Sequence, residues 1–188
     1  MAKLKELIKS FLLFLKYCFE GDLTPNPLME EIDEPIIVPN EEVIYKVSNQ
    51  ELVSASAKSA IGQDASPDDL VPDDVACVES LSNILRQVYP DFPILTGTAN
   101  LSVFLYKDGR FKATIEELQS GFIVVCPTGK GNGTIVGHCW IAIELNGKLV
   151  LASNNSFTGK WEITDTLDSI IKRYRRIGGL PLYYYKPL

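Results

Sequence analysis

Along DVACVESLSNILRQV, residues 74–88, the apolar positions Cys77, Leu81, Ile84 and Val88 recur at offsets of four, seven and eleven. That spacing is one stripe of a helix, and Pro90 ends it. Upstream, NQELVSASAKSAIG reads as a helix with Asn49 as candidate cap and Gly62 as stop. Downstream, TANLSVFLY reads as a short helix capped by Thr98, despite its β-branched and aromatic content.

The pattern then changes period. GFIVVCP, residues 121–127, is a continuous apolar run of the kind buried on both faces. KGNGTIVG is a glycine-rich loop. HCWIAIEL and KLVLASNN are two apolar runs joined by Asn146-Gly147, the preferred pair for a type I′ hairpin turn. DTLDSIIKRYRRIGG predicts a last helix, with Thr164 or Asp165 as cap and Leu167, Ile170, Ile171 and Tyr174 on one face. LPLYYYKP closes the chain as a strand. Helices first, then a small, mostly antiparallel sheet, make an α+β domain over residues 42–188.

The first 41 residues differ in character. Residues 1–20 form an amphipathic helical pattern, with Leu4, Leu7, Ile8, Phe11, Leu12 and Leu15 on a broad stripe. Lys9 and Lys16 interrupt it, so no run approaches the ~20 apolar residues of a membrane span. Two readings stay open: a membrane-surface helix, or a helix docked on a partner or on the protein's own body. Residues 21–41, rich in proline and acid, read as an extended tether.

Charge alters this picture only locally. The net charge of −6 sits mainly in residues 20–79, which hold fifteen acids against two lysines. Lys172, Arg173, Arg175 and Arg176 cluster in the last helix, where a solvated face is the simplest account. Nothing suggests nucleic-acid recognition. KGNGTIVG lacks the Lys-Ser/Thr step of a phosphate-binding loop. Asp68, Asp69, Asp73 and Asp74 cluster but do not follow the EF-hand spacing, and capping aspartates explain them without calcium. Four cysteines in 188 residues do not make a disulfide scaffold, although Cys126 and Cys139 could meet on neighbouring strands.

Cys77 has two readings. Its stripe turns it inward, and free cysteine is among the most buried residue types. Its place in the first turn, behind a cap at Asp73 or Asp74, favours a thiolate. His138, the sole histidine, opens a strand after a flexible loop. With Asn146-Gly147 as the turn, Leu145 faces Lys148 and, counting outward, His138 faces Asn155. Facing residues share a side of the sheet, so Asn155 can orient the imidazole, whereas Asn154 points to the other side. A slip of one residue would exchange the two. Thiol, imidazole and orienting amide are the parts of a thiol-protease triad.

DASPDDLVPDDVACVESLSNIL, VVCPTGKGNGTIVGHCWIAI and ASNNSFTGKWEITDTL, ending in GGLPLYYYKP, resemble the CHAP and NlpC-type papain-like hydrolases, nearest to small phage-encoded members. The resemblance covers roughly residues 42–188. It implies cleavage of an amide bond in bacterial peptidoglycan, with Cys77 as nucleophile, His138 as general base and Asn155 as orienting residue. It implies an oxyanion hole that includes the Cys77 amide, and chemistry that requires no cofactor and no metal. Trp140, Asn154 and Trp161 are the candidate substrate contacts, the tryptophans having core packing as their alternative. The location implied is a phage virion or the host cell envelope, with residues 1–20 attaching the domain to a virion partner or a membrane surface. The rival class is a virion structural or assembly protein that retains the fold without turnover.

Overall fold

A computed structural model describes residues 46–66, 72, 75–114, 117–129 and 136–188. The helix expected over residues 1–20, the tether over 21–41 and the aspartates Asp68, Asp69, Asp73 and Asp74 lie outside the described residues.

Helix α1 spans Asn49–Ser59, and its cap is Ser48, one residue earlier than the expected Asn49. Ser48 is extended (φ −75°, ψ 154°), its hydroxyl accepts from the Glu51 amide, and the Glu51 carboxylate accepts in return from the Ser48 amide. This reciprocal pair needs Ser and Glu three apart, which Ser48 supplies and Asn49 does not. Helix α2 spans Cys77–Arg86 and buries Val78, Leu81, Ile84 and Leu85. Helix α3 spans Thr98–Lys107. Its cap is Gly97 at φ 78°, not Thr98. The Thr98 hydroxyl is committed instead to Thr128, accepting from its amide at 2.9 Å and meeting its hydroxyl at 3.0 Å.

Six strands form one wholly antiparallel sheet: β1 (Phe111–Thr114), β2 (Ile123–Cys126), β3 (His138–Leu145), β4 (Lys148–Asn155), β5 (Lys160–Asp165) and β6 (Tyr183–Pro187), in the order β1-β6-β2-β3-β4-β5. The β3–β4 hairpin keeps the expected register, from Leu145↔Lys148 to Ile141↔Ala152. Asn146 and Gly147 both have positive φ, 51° and 72°, as a type I′ turn requires.

The sheet is covered on both sides. Ile123, Val125 and Ile141 point toward α1, α2 and α3, where Val53, Leu81 and Leu101 meet them. Phe122, Val124 and Trp140 point the other way, onto Ile170 and Tyr174. Those last two belong to helix α4, Leu167–Ile170, and to the π-helical stretch Ile171–Ile177 that continues it. Helix α4 is capped by Thr166, paired reciprocally with Ser169, rather than by Thr164 or Asp165. The side chains of those two residues are engaged in the site described next. The result is an α+β fold with helices on either side of the sheet.

Candidate active site

Cys77 is the first residue of α2. The cap position is Ala76, without a side-chain cap, so the helix starts later than an Asp73 or Asp74 cap implies. The amides of the first helical turn have no intrahelical acceptors, and the positive end of the helix dipole lies there. The side chain is largely enclosed, with 9% of its surface exposed.

His138 opens β3, opposite Cys126 of β2. The backbone just before it is clamped. Gly137 donates its amide to the Thr128 hydroxyl at 2.9 Å, and the Thr128 amide donates to the Thr98 hydroxyl at 2.9 Å. No side chain fits at Gly137, because a Cβ there would stand 2.1 Å from the Cys126 carbonyl oxygen. The start of α3 and the segment after β2 thereby fix the entry of the strand that carries the imidazole.

The ring is held on three sides. His138 Nε2 lies 2.9 Å from the Ser153 hydroxyl, which lies 2.7 Å from the Thr164 hydroxyl. Trp140 meets the ring edge-on at 4.7 Å between centroids. Tyr174 lies nearly parallel to it, at 12° and 6.4 Å. Trp140 is itself pinned, its indole Nε1 donating to Asp165 at 3.0 Å. With Nε2 engaged by Ser153, Nδ1 is the ring nitrogen left for the thiol.

The thiol of Cys77 is held well below the ordinary value for cysteine. The largest cause is a hydrogen bond from the Cys139 thiol; burial opposes it, and the hydrogen bond and charge of His138 add to it. The reverse holds at Cys139, whose thiol is pushed well up by burial and by its neighbour. One thiol is poised to ionise and the other to stay protonated.

The Cys77 thiol thus lies near enough to His138 for the imidazole to help lower its pKa. Asn155 is elsewhere. Its amide nitrogen donates to Glu162 at 2.7 Å and its carbonyl accepts from the Phe157 amide at 3.0 Å, closing the β4–β5 turn. The predicted face was right, but the residue meeting the ring is Ser153, two positions earlier on that face. Trp161 is fully buried, its indole donating to the Ala57 carbonyl at 3.1 Å. Asn154, 3% exposed, faces Trp161 across β4–β5. Trp140 is buried beneath His138. None of these three presents a surface to a substrate; Trp140 supports the His138 ring instead.

The wider surroundings are consistent with free thiols. Cys77, Cys126 and Cys139 are all unbridged. Cys126 and Cys139 point to opposite faces of the sheet, so adjacency of their strands does not pair them. Among the described residues, no three His, Cys, Asp or Glu side chains are grouped to hold a metal ion, and no helix is long and apolar enough to cross a membrane.

Ser153 is not among the sequence candidates, and Thr164 and Tyr174 enter there only as a possible helix cap and part of a helix face. The hairpin register does place Ser153 on the His138 face, and that was the available signal. Comparison with protein-family models, with curated proteins and with solved structures gives no match to this chain.

Proposed function

We propose that the chain is a papain-like, thiol-dependent amide hydrolase that acts on peptide amides of bacterial peptidoglycan. The observation that carries the chemistry is the Cys77 thiol at a helix start beside His138, whose far nitrogen is held by Ser153. In this reading the Cys77 thiolate attacks the amide carbonyl, and first-turn amides of α2 receive the developing oxyanion. The C–N bond breaks as His138 hands its proton to the leaving amine. Water then attacks the thioester, giving its proton to His138, and the free acid departs with the thiolate restored. Ser153 takes the orienting role first assigned to Asn155.

The choice of peptidoglycan, rather than another amide, rests on the resemblance of the segments around Cys77, His138 and Asn155 to CHAP and NlpC-type hydrolases. The same resemblance supports a phage virion or host envelope location; the amphipathic pattern of residues 1–20 supports their attachment to a virion partner or a membrane surface. Zymography on purified cell walls tests the reading: wild type clears, and Cys77→Ala does not. Equal clearing by both, or none by either, overturns it.

One observation favours the rival class. The group on His138 is a neutral hydroxyl, a weaker support for an imidazolium than a carboxylate. A virion structural or assembly protein with this fold would show no clearing while still binding its virion partner through residues 1–20.

A further inference from the structure

Cys139 follows His138 directly, yet strand alternation sends it to the opposite face, toward the start of α2. Its thiol donates to the Cys77 carbonyl oxygen at 3.3 Å, which sets its sulfur against the residue that carries the other thiol. Both are free. Core packing alone asks only for a small apolar side chain at this position, and alanine would meet that need without a second sulfur beside the first.

We infer that Cys139 is a resolving thiol for Cys77, so that oxidation by a peroxide ends in a reversible Cys77–Cys139 disulfide. The two steps balance. The Cys77 thiolate attacks one peroxide oxygen, the O–O bond breaks, hydroxide leaves, and Cys77 becomes a sulfenic acid. The Cys139 sulfur then attacks the Cys77 sulfur, the S–O bond breaks, and the departing hydroxide takes the Cys139 proton as water. Two thiols are oxidised by one peroxide, which is reduced to two waters. Exposure sets the order: Cys77 retains 9% of its surface and Cys139 none, so the oxidant meets Cys77 first. Cys126 does not compete, because it points into the other apolar layer.

The inference concerns the thiol of the proposed hydrolysis but stands on thiol chemistry alone. Peptide mapping and wall clearing are therefore read separately, and either can fail without the other. Full-length protein is treated with an excess of hydrogen peroxide, its remaining thiols are alkylated, and its peptides are mapped by mass spectrometry. The expected product joins Cys77 to Cys139 and is returned to two thiols by dithiothreitol. Cys126→Ala gives the same product. In Cys139→Ala, Cys77 proceeds to sulfinic or sulfonic acid that dithiothreitol does not reverse. Over-oxidised Cys77 beside intact Cys139 in wild type overturns the inference, as does a Cys77 bridge to Cys18 or Cys126, or Cys77 left unoxidised. Should Cys139→Ala fail to fold, the wild-type map decides alone.

Discussion

The distinction between Ser153 and Asn155 turns on which atom reaches the imidazole. Replacing Ser153 by Ala removes the partner of Nε2 and should lower kcat by on the order of tenfold or more. Asn155→Ala, acting only in the β4–β5 turn, should cost about 1 kcal/mol of stability and leave kcat within about threefold. Steady-state assays and urea melts on both variants separate the two roles. The thiol makes a second prediction. A lowered pKa means that the thiolate persists below the usual ~8.5 of free cysteine and that reactivity is lost as pH falls through the lowered value. The rate of iodoacetamide alkylation against pH should therefore have its midpoint below that of a free thiol. Cys139→Ala should move the midpoint up, because Cys139 is the largest single cause of the lowering. At this scale the sequence was informative about the placement of Cys77 and His138. A helical stripe fixed the direction of Cys77, and there was a single histidine to consider. It was uninformative about Ser153, whose role depends on where a neighbouring asparagine spends its hydrogen bonds.

Among the elements, the β3–β4 hairpin and the run of β2 were legible because each is dictated locally: by a turn pair in one case and by apolar continuity in the other. Caps were less so. All four expected ones moved, since serine, threonine, asparagine and aspartate serve equally well as caps or as tertiary partners, and only the fold decides which. Strands β1 and β5 carry weak patterns of their own and form because a neighbouring edge receives them. Gly137 is the element-level residue with the sharpest consequence. Gly137→Ala forces a Cβ against the Cys126 carbonyl and must shift either β2 or the start of β3. Such overpacking against backbone should cost on the order of 2 kcal/mol or more in a denaturant melt. It should also slow alkylation of Cys77 at neutral pH, because His138 moves with the strand.

For the molecule as a whole, the α+β class followed from the order of helical and strand patterns. The sheet order did not, since inserting β6 between β1 and β2 joins segments from distant parts of the chain. Burying titratable groups in both layers has a cost at high pH. Burial pushes Cys126 up to about 12 and Tyr174 up to about 12. Each releases its proton later when folded than when unfolded, so the unfolded chain holds fewer protons and stability falls as pH rises. The loss begins near pH ~8.5 for the thiol and near pH ~10 for the phenol, at about 1.4 kcal/mol per pH unit for each fully titrating group. Cys126→Ala should flatten the fall between about pH 9 and 11 in urea melts, since alanine has no proton to release.

Consecutive residues of β3 serve opposite faces of the sheet: an imidazole for the proposed chemistry, then a sulfur for the interior. A slip of one step against β2 and β4 would exchange them, driving a polar ring among aliphatic chains and leaving a thiol in the place of the imidazole. Misalignment of this strand is thus penalised twice by one event, and the ladder that builds the sheet also guards the placement of His138.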